Sequence, residues 1–290
     1  MNKYAITCCS TTDLSKELLK ERNINYACCS FECNGKIYKD DFGKSYPIEK
    51  FYKDMSNGMQ PLTSQANIED YIELFEPLLK EELDVLHISM SSGISGTVNS
   101  AINAAEMLNE KYNNKVYVVD SLCCSSGYGM LVNIAKDNQD NGMSILENLE
   151  YIEINRTKII HWFFSSDLSA YVRGGRLSKV EGFVGTALKI CPVMNVTDMG
   201  RLEVFEKVRT KKKAIKTIVQ NMLDEVGPSY SDRCYISHSS CLQEAEEVKE
   251  LLLETFTSLK EVLIFDVGCV IGAHTGPGTV AMYYIGKKRK

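Results

Sequence analysis

The sequence predicts an α/β protein of two domains, a doubly wound parallel-sheet domain over residues 1–150 and a second α/β domain with a mixed sheet over residues 151–290. Three observations carry this. In the first half, short apolar runs alternate with segments of helical periodicity, the signature of parallel strands joined by crossover helices. From about Met143 the alternation changes, and residues 193–208 read as two strands folded at Met199-Gly200, a direct strand-to-strand connection that an all-parallel sheet lacks. Finally, 290 residues with 44% apolar and 24% charged side chains give ordinary globular composition and enough chain to bury a sizeable core.

Residues 4–7, 85–90 and 116–119 read as buried strands because they are short continuous apolar runs. Residues 14–22, 68–83, 96–108 and 125–138 read as helices, with apolar residues recurring at three and four. Asn67 with Asp70 three residues on marks the start of the second helix. The dipeptide Asn34-Gly35 predicts a hairpin turn and an antiparallel excursion between Tyr26 and Tyr38. In the second half, 143–156, 212–225 and 243–256 read as helices, and 159–164, 234–237, 262–267 and 280–285 as strands.

Composition narrows the function classes. A net charge of −5 gives no overall electrostatic reason to bind nucleic acid. Two local basic runs, 209–213 and 287–290, read either as solvated surface or as docking sites for an anionic partner. No stretch reaches the roughly 18 to 20 apolar residues of a spanning helix, and the first residues have no apolar leader core, so stable membrane insertion is not expected and a soluble, cytoplasmic protein is. The 11 cysteines are an odd number in a long chain, and the adjacent pairs Cys8-Cys9, Cys28-Cys29 and Cys123-Cys124 do not have zinc spacing. They read as small buried hydrophobes, with a redox-sensitive thiol as the alternative, and no metal is expected.

Polar loops carry the chemistry. Pro61 to Gln65 gathers two hydroxyls, on Thr63 and Ser64, and an amide ahead of a helix. Ser91 to Thr97 follows a strand and opens a helix, which is where an α/β sheet presents unpaired N–H groups to an anion; the alternative is a tight turn with a hydroxyl cap. The run from Gly272 to Gly278 reads as a loop between two strands, with His274 free to offer a ring nitrogen to a ligand or bonded to backbone in a turn. In the stretch from Tyr171 to Ser178, Arg173 and Arg176 around a glycine pair suit a carboxylate or phosphate, or plain solvent. No phosphate-loop consensus is present, and Gly127-Tyr128-Gly129 lacks a third glycine and reads as helix packing.

Taken in order, Ser10-Thr11, Thr63-Ser64-Gln65, Ser95-Gly96-Thr97, Asp120-Ser121, Gly174-Gly175-Arg176-Leu177-Ser178, Pro192 with Gly200 and Arg209, and His274 with Gly276-Pro277-Gly278 resemble the DegV family over essentially the whole chain. The resemblance implies a protein that binds a long-chain fatty acid without transforming it, its chain in a tunnel and its carboxylate between two domains. It places carboxylate ligands on Thr63, Ser95 and His274, supported by Ser10, Ser64, Gly96, Thr97, Asp120, Ser121 and Gly276. It also implies a fatty-acid kinase as partner, with Arg176 and Arg209 near the opening, and no cofactor beyond the bound lipid. The pattern departs at Cys9, where the family has an Asp before the serine of the first loop.

The chemistry suits those residues. Burying about 16 carbons at roughly 0.8 kcal/mol per methylene supplies on the order of 10 kcal/mol of gross driving force. The head then needs donors, which two hydroxyls and an imidazole provide, and a protonated His274 adds charge. Phe163, Phe164, Phe183, Leu188 and Ile190 read as tunnel lining or as ordinary core. Two further readings remain at this level: an ester hydrolase with Ser95, His274 and Asp120 in the α/β-hydrolase order, although Gly93-Ile94-Ser95-Gly96 is not G-x-S-x-G, and a lipid-sensing regulatory protein.

Overall fold

A computed structural model describes residues 3–178 and 190–289. Strands β1 (Tyr4–Cys9), β2 (Asn25–Ala27), β6 (Asp84–Ser89) and β7 (Val116–Asp120) form a four-stranded parallel sheet in the order β2-β1-β6-β7. Alternation along each strand distributes side chains to two cores, as the pleat requires. Ile6, Cys8, Leu86 and Ile88 pack with Tyr128, Leu131 and Val132 of α5 (Ser125–Asp140). Cys9 and Val85 face the other way, onto Tyr71 and Phe75 of α3 (Ile68–Lys80) and Ala101, Ala104 and Leu108 of α4 (Thr97–Lys111). The doubly wound expectation is met. Helix α3 opens on the capping box between Asn67 and Asp70.

The second sheet has six strands. Strands β8 (Ile159–Phe164), β9 (Cys191–Val196), β10 (Leu202–Val208), β11 (Arg233–His238), β12 (Glu261–Asp266) and β13 (Val280–Ile285) run in the order β10-β9-β8-β13-β11-β12. Only β11 and β12 are parallel, so the sheet is mixed as expected. One face packs on α8 (Lys211–Val226) and α9 (Leu242–Thr255). The opposite face contributes Phe163, Tyr235, Ala281 and Tyr283 to the same core as α5, which therefore lies between the two sheets. A Cβ on Gly127 would come within 2.4 Å of His161 Nε2 and 2.6 Å of Tyr283, so only a glycine lets α5 approach so closely. That is the packing role read for this glycine pair.

Four features differ from the expectations. The Asn34-Gly35 turn is present, with φ of 51° and 74°, and joins β3 (Ser30–Cys33) to β4 (Lys36–Lys39), but a third strand, β5 (Leu62–Ser64), completes the small antiparallel sheet. Thr63 thus sits on a strand and not in a loop; three residues are too few to show a period, and pairing with β3 creates the element. Helix α2 (Ile48–Ser56) was not foreseen either.

The expected loop at 272–278 begins inside a helix, α10 (Cys269–Thr275), which carries His274 in its last turn. Gly272 hid it, because glycine is a poor helix former; here a Cβ would lie 2.5 Å from Tyr52 Oη, and the absence of one lets α10 rest on α2. The terminal basic run, read as solvated or docking surface, holds a buried residue. Arg289 is only 7% exposed and donates to the carbonyls of Leu122, Thr197 and Arg156.

Candidate functional site

A recess of about 790 Å³ of atom-free space, partly open to solvent, lies where β5, the loop from β6 to α4, the end of α7 (Ser169–Arg173), and α10 converge. Its walls are mostly apolar: Met90, Ile94, Tyr171, Leu202, Val270 and Ile271. Its polar lining includes Thr63, Ser64, Gln65, Ser95, Arg176 and His274. The three residues expected to act together thus border one space.

Thr63 Oγ1 and His274 Nε2 are 2.8 Å apart. Strand pairing of Thr63 with Phe31 fixes one partner, and the last turn of α10 fixes the other. On the far side of the ring, Gly174 packs so tightly that a Cβ there would fall 2.2 Å from His274 Nδ1. Among the described residues Nδ1 has no hydrogen-bond partner. A proton on Nδ1 would be a buried orphan donor, whereas an unfilled acceptor costs less, so the favoured tautomer carries its proton on Nε2 and donates it to Thr63. The Thr63 hydroxyl hydrogen is then free to point into the recess.

Burial, with Arg176 and Arg173 nearby, pulls the His274 pKa down to about 4. His274 is therefore neutral at neutral pH. The expected charge from a protonated imidazole is absent, and the positive group at the recess is Arg176. Its guanidinium donates from Nε to the Ile94 carbonyl at 3.0 Å and from Nη1 to the Gly174 carbonyl. These bonds tie the Ser95 loop to the backbone that covers His274. No carboxylate among the described residues pairs with Arg176.

The Ser95 loop is built by backbone fit. Ser95 Oγ accepts from Thr97 N at 3.3 Å, and Gly96, the cap of α4, leaves no room for a side chain beside Gln65 Oε1, 2.7 Å from where a Cβ would stand. The β9–β10 turn docks onto this loop: Ser91 Oγ donates to the Gly200 carbonyl at 2.9 Å. At Gly200 a positive φ of 70° and a Cβ position 2.0 Å from Ser91 Oγ both demand glycine.

The supporting residues divide. Ser64 and Gly96 line the recess, and Gly276, with φ of 68°, ends α10. Ser10, Thr97, Asp120 and Ser121 do not line it. Ser10 Oγ accepts from Cys29 N, Thr97 Oγ1 bonds Tyr71 Oη, Ser121 Oγ accepts from Cys123 N, and Asp120 Oδ1 accepts from Ser92 N and Leu122 N. Asp120 is therefore committed to backbone and does not orient His274, whose Nδ1 has no partner among the described residues; the Ser95, His274, Asp120 hydrolase arrangement is not assembled.

Arg209 is exposed and lies just beyond β10, at the opposite end of that strand from Leu202, roughly 20 Å along an extended chain from the recess wall. It does not share the opening with Arg176. Of the suggested apolar lining, Phe163 and Phe164 are core residues, Ile190 is half-buried and does not line the recess, and Phe183 and Leu188 lie outside the described residues.

Some site residues were missed. Arg201, exposed, joins Ser95 and Arg176 along an outer groove continuous with the recess. Asp13 and Asp40, both buried, hold the start of α10. The only sequence signal for either is an acidic residue beside an apolar run. At the divergent first loop, Cys9 Sγ contacts Tyr71 Oη at 2.9 Å, and the thiol is part of the core.

The family model described as "Uncharacterised protein, DegV family" matches residues 3–287. A DegV domain-containing protein of Clostridium perfringens is 33% identical over 291 residues, covering 100% of both chains. Among solved structures, a DegV family protein from Thermus thermophilus, described by its fatty acid binding, superposes with a TM-score of 0.89 at 28% identity, over 98% of this chain and 100% of its own. DegV from Bacillus subtilis, described as a fatty acid binding protein, does so with a TM-score of 0.87 at 28% identity, over 99% and 100%. With a family match across nearly the whole length and a relative this similar from end to end, the chain belongs to the DegV family.

Proposed function

We propose that this protein binds a long-chain fatty acid between its two halves, with the carboxylate on Thr63, Ser95 and His274, and presents that carboxylate to a kinase for acyl phosphate formation. The observation that carries the reading is the Thr63–His274 pair, 2.8 Å apart, at a mostly apolar recess that also receives Ser95 and a half-buried guanidinium with no carboxylate partner among the described residues. The neutral imidazole locks the Thr63 hydroxyl as a donor, Ser95 supplies a second, and Arg176 compensates the charge. Hydroxyl donors, with the Arg176 guanidinium engaged by backbone carbonyls, grip the head less tightly than a bidentate arginine would, which leaves its oxygens nucleophilic.

The outer groove bordered by Ser95, Arg176 and Arg201 supports transfer to a partner, because it gives a phosphate donor a basic approach to the carboxylate from outside. The enclosed tail prevents the acid from leaving to meet the kinase, so the kinase must dock here. Relatives of 28% identity described as fatty acid binding support the ligand class.

Native mass spectrometry of protein purified from bacteria tests the reading; a co-purifying fatty acid is expected, and a homogeneous ligand-free mass would oppose it. Thr63→Ala, Ser95→Ala and His274→Ala should each weaken retention by about 1 to 3 kcal/mol, the cost of an unmade hydrogen bond to a buried charge.

A further inference from the structure

Helix α10 carries His274 at its C-terminal turn, and its N-terminal turn is held by two carboxyl groups from the other half of the chain. Asp40, just past β4, accepts from Cys269 N at 3.0 Å and from Val270 N at 3.3 Å. Asp13, beyond β1, accepts from Gly268 N at 2.9 Å through Oδ1, while its Oδ2 bonds Ser125 Oγ at 2.5 Å. Three successive N–H groups, which a helix start leaves orphaned, are thereby satisfied without any cap from α10 itself. Gly268 is wedged between the two: a Cβ there would stand 3.2 Å from Asp13 Oδ1 and from both Asp40 oxygens.

The arrangement is rigid at both ends. Tyr52 Oη donates to the Val267 carbonyl at 2.9 Å, just before the helix, and His274 meets Thr63 at its close. A helix of seven residues has almost no stability of its own, so its place is set by whatever fixes its ends.

We infer that Asp40, assisted by Asp13, is a positioning residue for the head-group site: by fixing the start of α10 it sets where the imidazole of His274 meets Thr63. This inference rests on the proposed carboxylate site. Burial raises Asp40 to about 6 and Asp13 to about 8, so near neutral pH Asp40 is ionised while Asp13 is mostly protonated. The Asp40 anion then faces the helix start, where the dipole favours it.

The test compares palmitic acid with hexadecanol, which share a tail and differ at the head, in displacement titrations against Asp40→Ala, Asp40→Asn and His274→Ala. Loss of a helix cap of this kind should lower palmitate affinity about tenfold in Asp40→Ala, less in Asp40→Asn, and change hexadecanol affinity by less than about twofold. Gly268→Ala presses the same two carboxyls from the helix side and should reproduce the loss of discrimination if the Asp40 variants do not fold. A His274 imidazole nitrogen resonance shifted in Asp40→Asn would accompany it. If palmitate and hexadecanol weaken equally, Asp40 is merely structural and the inference is overturned. It is likewise overturned if His274→Ala loses discrimination while Asp40→Ala and Gly268→Ala keep it. If His274→Ala itself keeps full discrimination, the head-group reading fails and takes this inference with it.

Discussion

Replacing Gly174 by Ala adds one methyl group at the point where the structure has least room for it. The new Cβ would lie 2.2 Å from His274 Nδ1, 3.0 Å from Cε1 and 3.2 Å from the Ala170 carbonyl oxygen. Ordinary contact needs about 3.5 Å, so the ring must retreat by more than 1 Å or the turn after α7 must open. Gly174 and Thr63 flank the ring, so a displacement of that size presses Nε2 against Thr63, now 2.8 Å away, and the ring must rotate out of line with that hydroxyl. Losing that bond costs about 1 kcal/mol, and overpacking adds roughly 1 to 3 kcal/mol, part of which relaxes by moving the backbone. Fatty-acid affinity should therefore fall about tenfold, since roughly 1.4 kcal/mol is one decade. Thermal unfolding should fall as well, because the overpacking penalty is borne by the folded state with or without ligand. The assay is displacement of a fluorescent fatty acid, read beside the nitrogen resonances of His274. Affinity within twofold of wild type, with unmoved resonances, would refute the argument that the Gly174 backbone sets the imidazole.

Two further outcomes follow from the same geometry. The His274 pKa is depressed to about 4 from an ordinary 6.5, so the neutral ring contributes stability above pH 6.5 that is lost as pH falls toward 4. The stability difference between wild type and His274→Gln, measured by denaturant titration, should accordingly be flat above pH 6.5 and shrink below it; a difference that grows on acidification would contradict the burial argument. Arg289→Ala removes donors from the carbonyls of Leu122, Thr197 and Arg156 and leaves buried acceptors unmet, which should destabilise the fold by about 2 to 4 kcal/mol. An unchanged denaturation midpoint would mean that these carbonyls find other partners.

How much of this was legible beforehand depends on the range of the forces involved. The strands at 159–164 and 280–285 and the folded pair at Met199-Gly200 are visible because apolar runs and turn residues act locally. Strand β5 and helix α10 are products of tertiary pairing: Thr63 lies on a three-residue strand that exists only against Phe31, and Gly272 looks like a loop residue until Tyr52 is placed above it. The membership of Thr63, Ser95 and His274 in one recess was readable only through resemblance, since 211 residues separate Thr63 from its partner.

The electrostatics of the site were the least legible. A histidine among glycines reads as exposed and protonatable, yet burial and Arg176 make it neutral, and the positive charge passes to the arginine. Asp13 and Asp40 carry no sequence mark of their role, because capping a helix more than 200 residues away is a property of the folded chain alone. The basic tail misled in the opposite sense, since the neighbours that bury Arg289 are carbonyls rather than acidic residues.

The most direct test is a crystal structure of the protein loaded with palmitic acid. Carboxylate oxygens are expected within about 3.2 Å of Thr63 Oγ1 and Ser95 Oγ, with the His274 ring still against Thr63 and the acyl chain running past Met90, Ile94 and Val270. A carboxylate found away from these hydroxyls, or an acyl chain lying outside the recess, would contradict it.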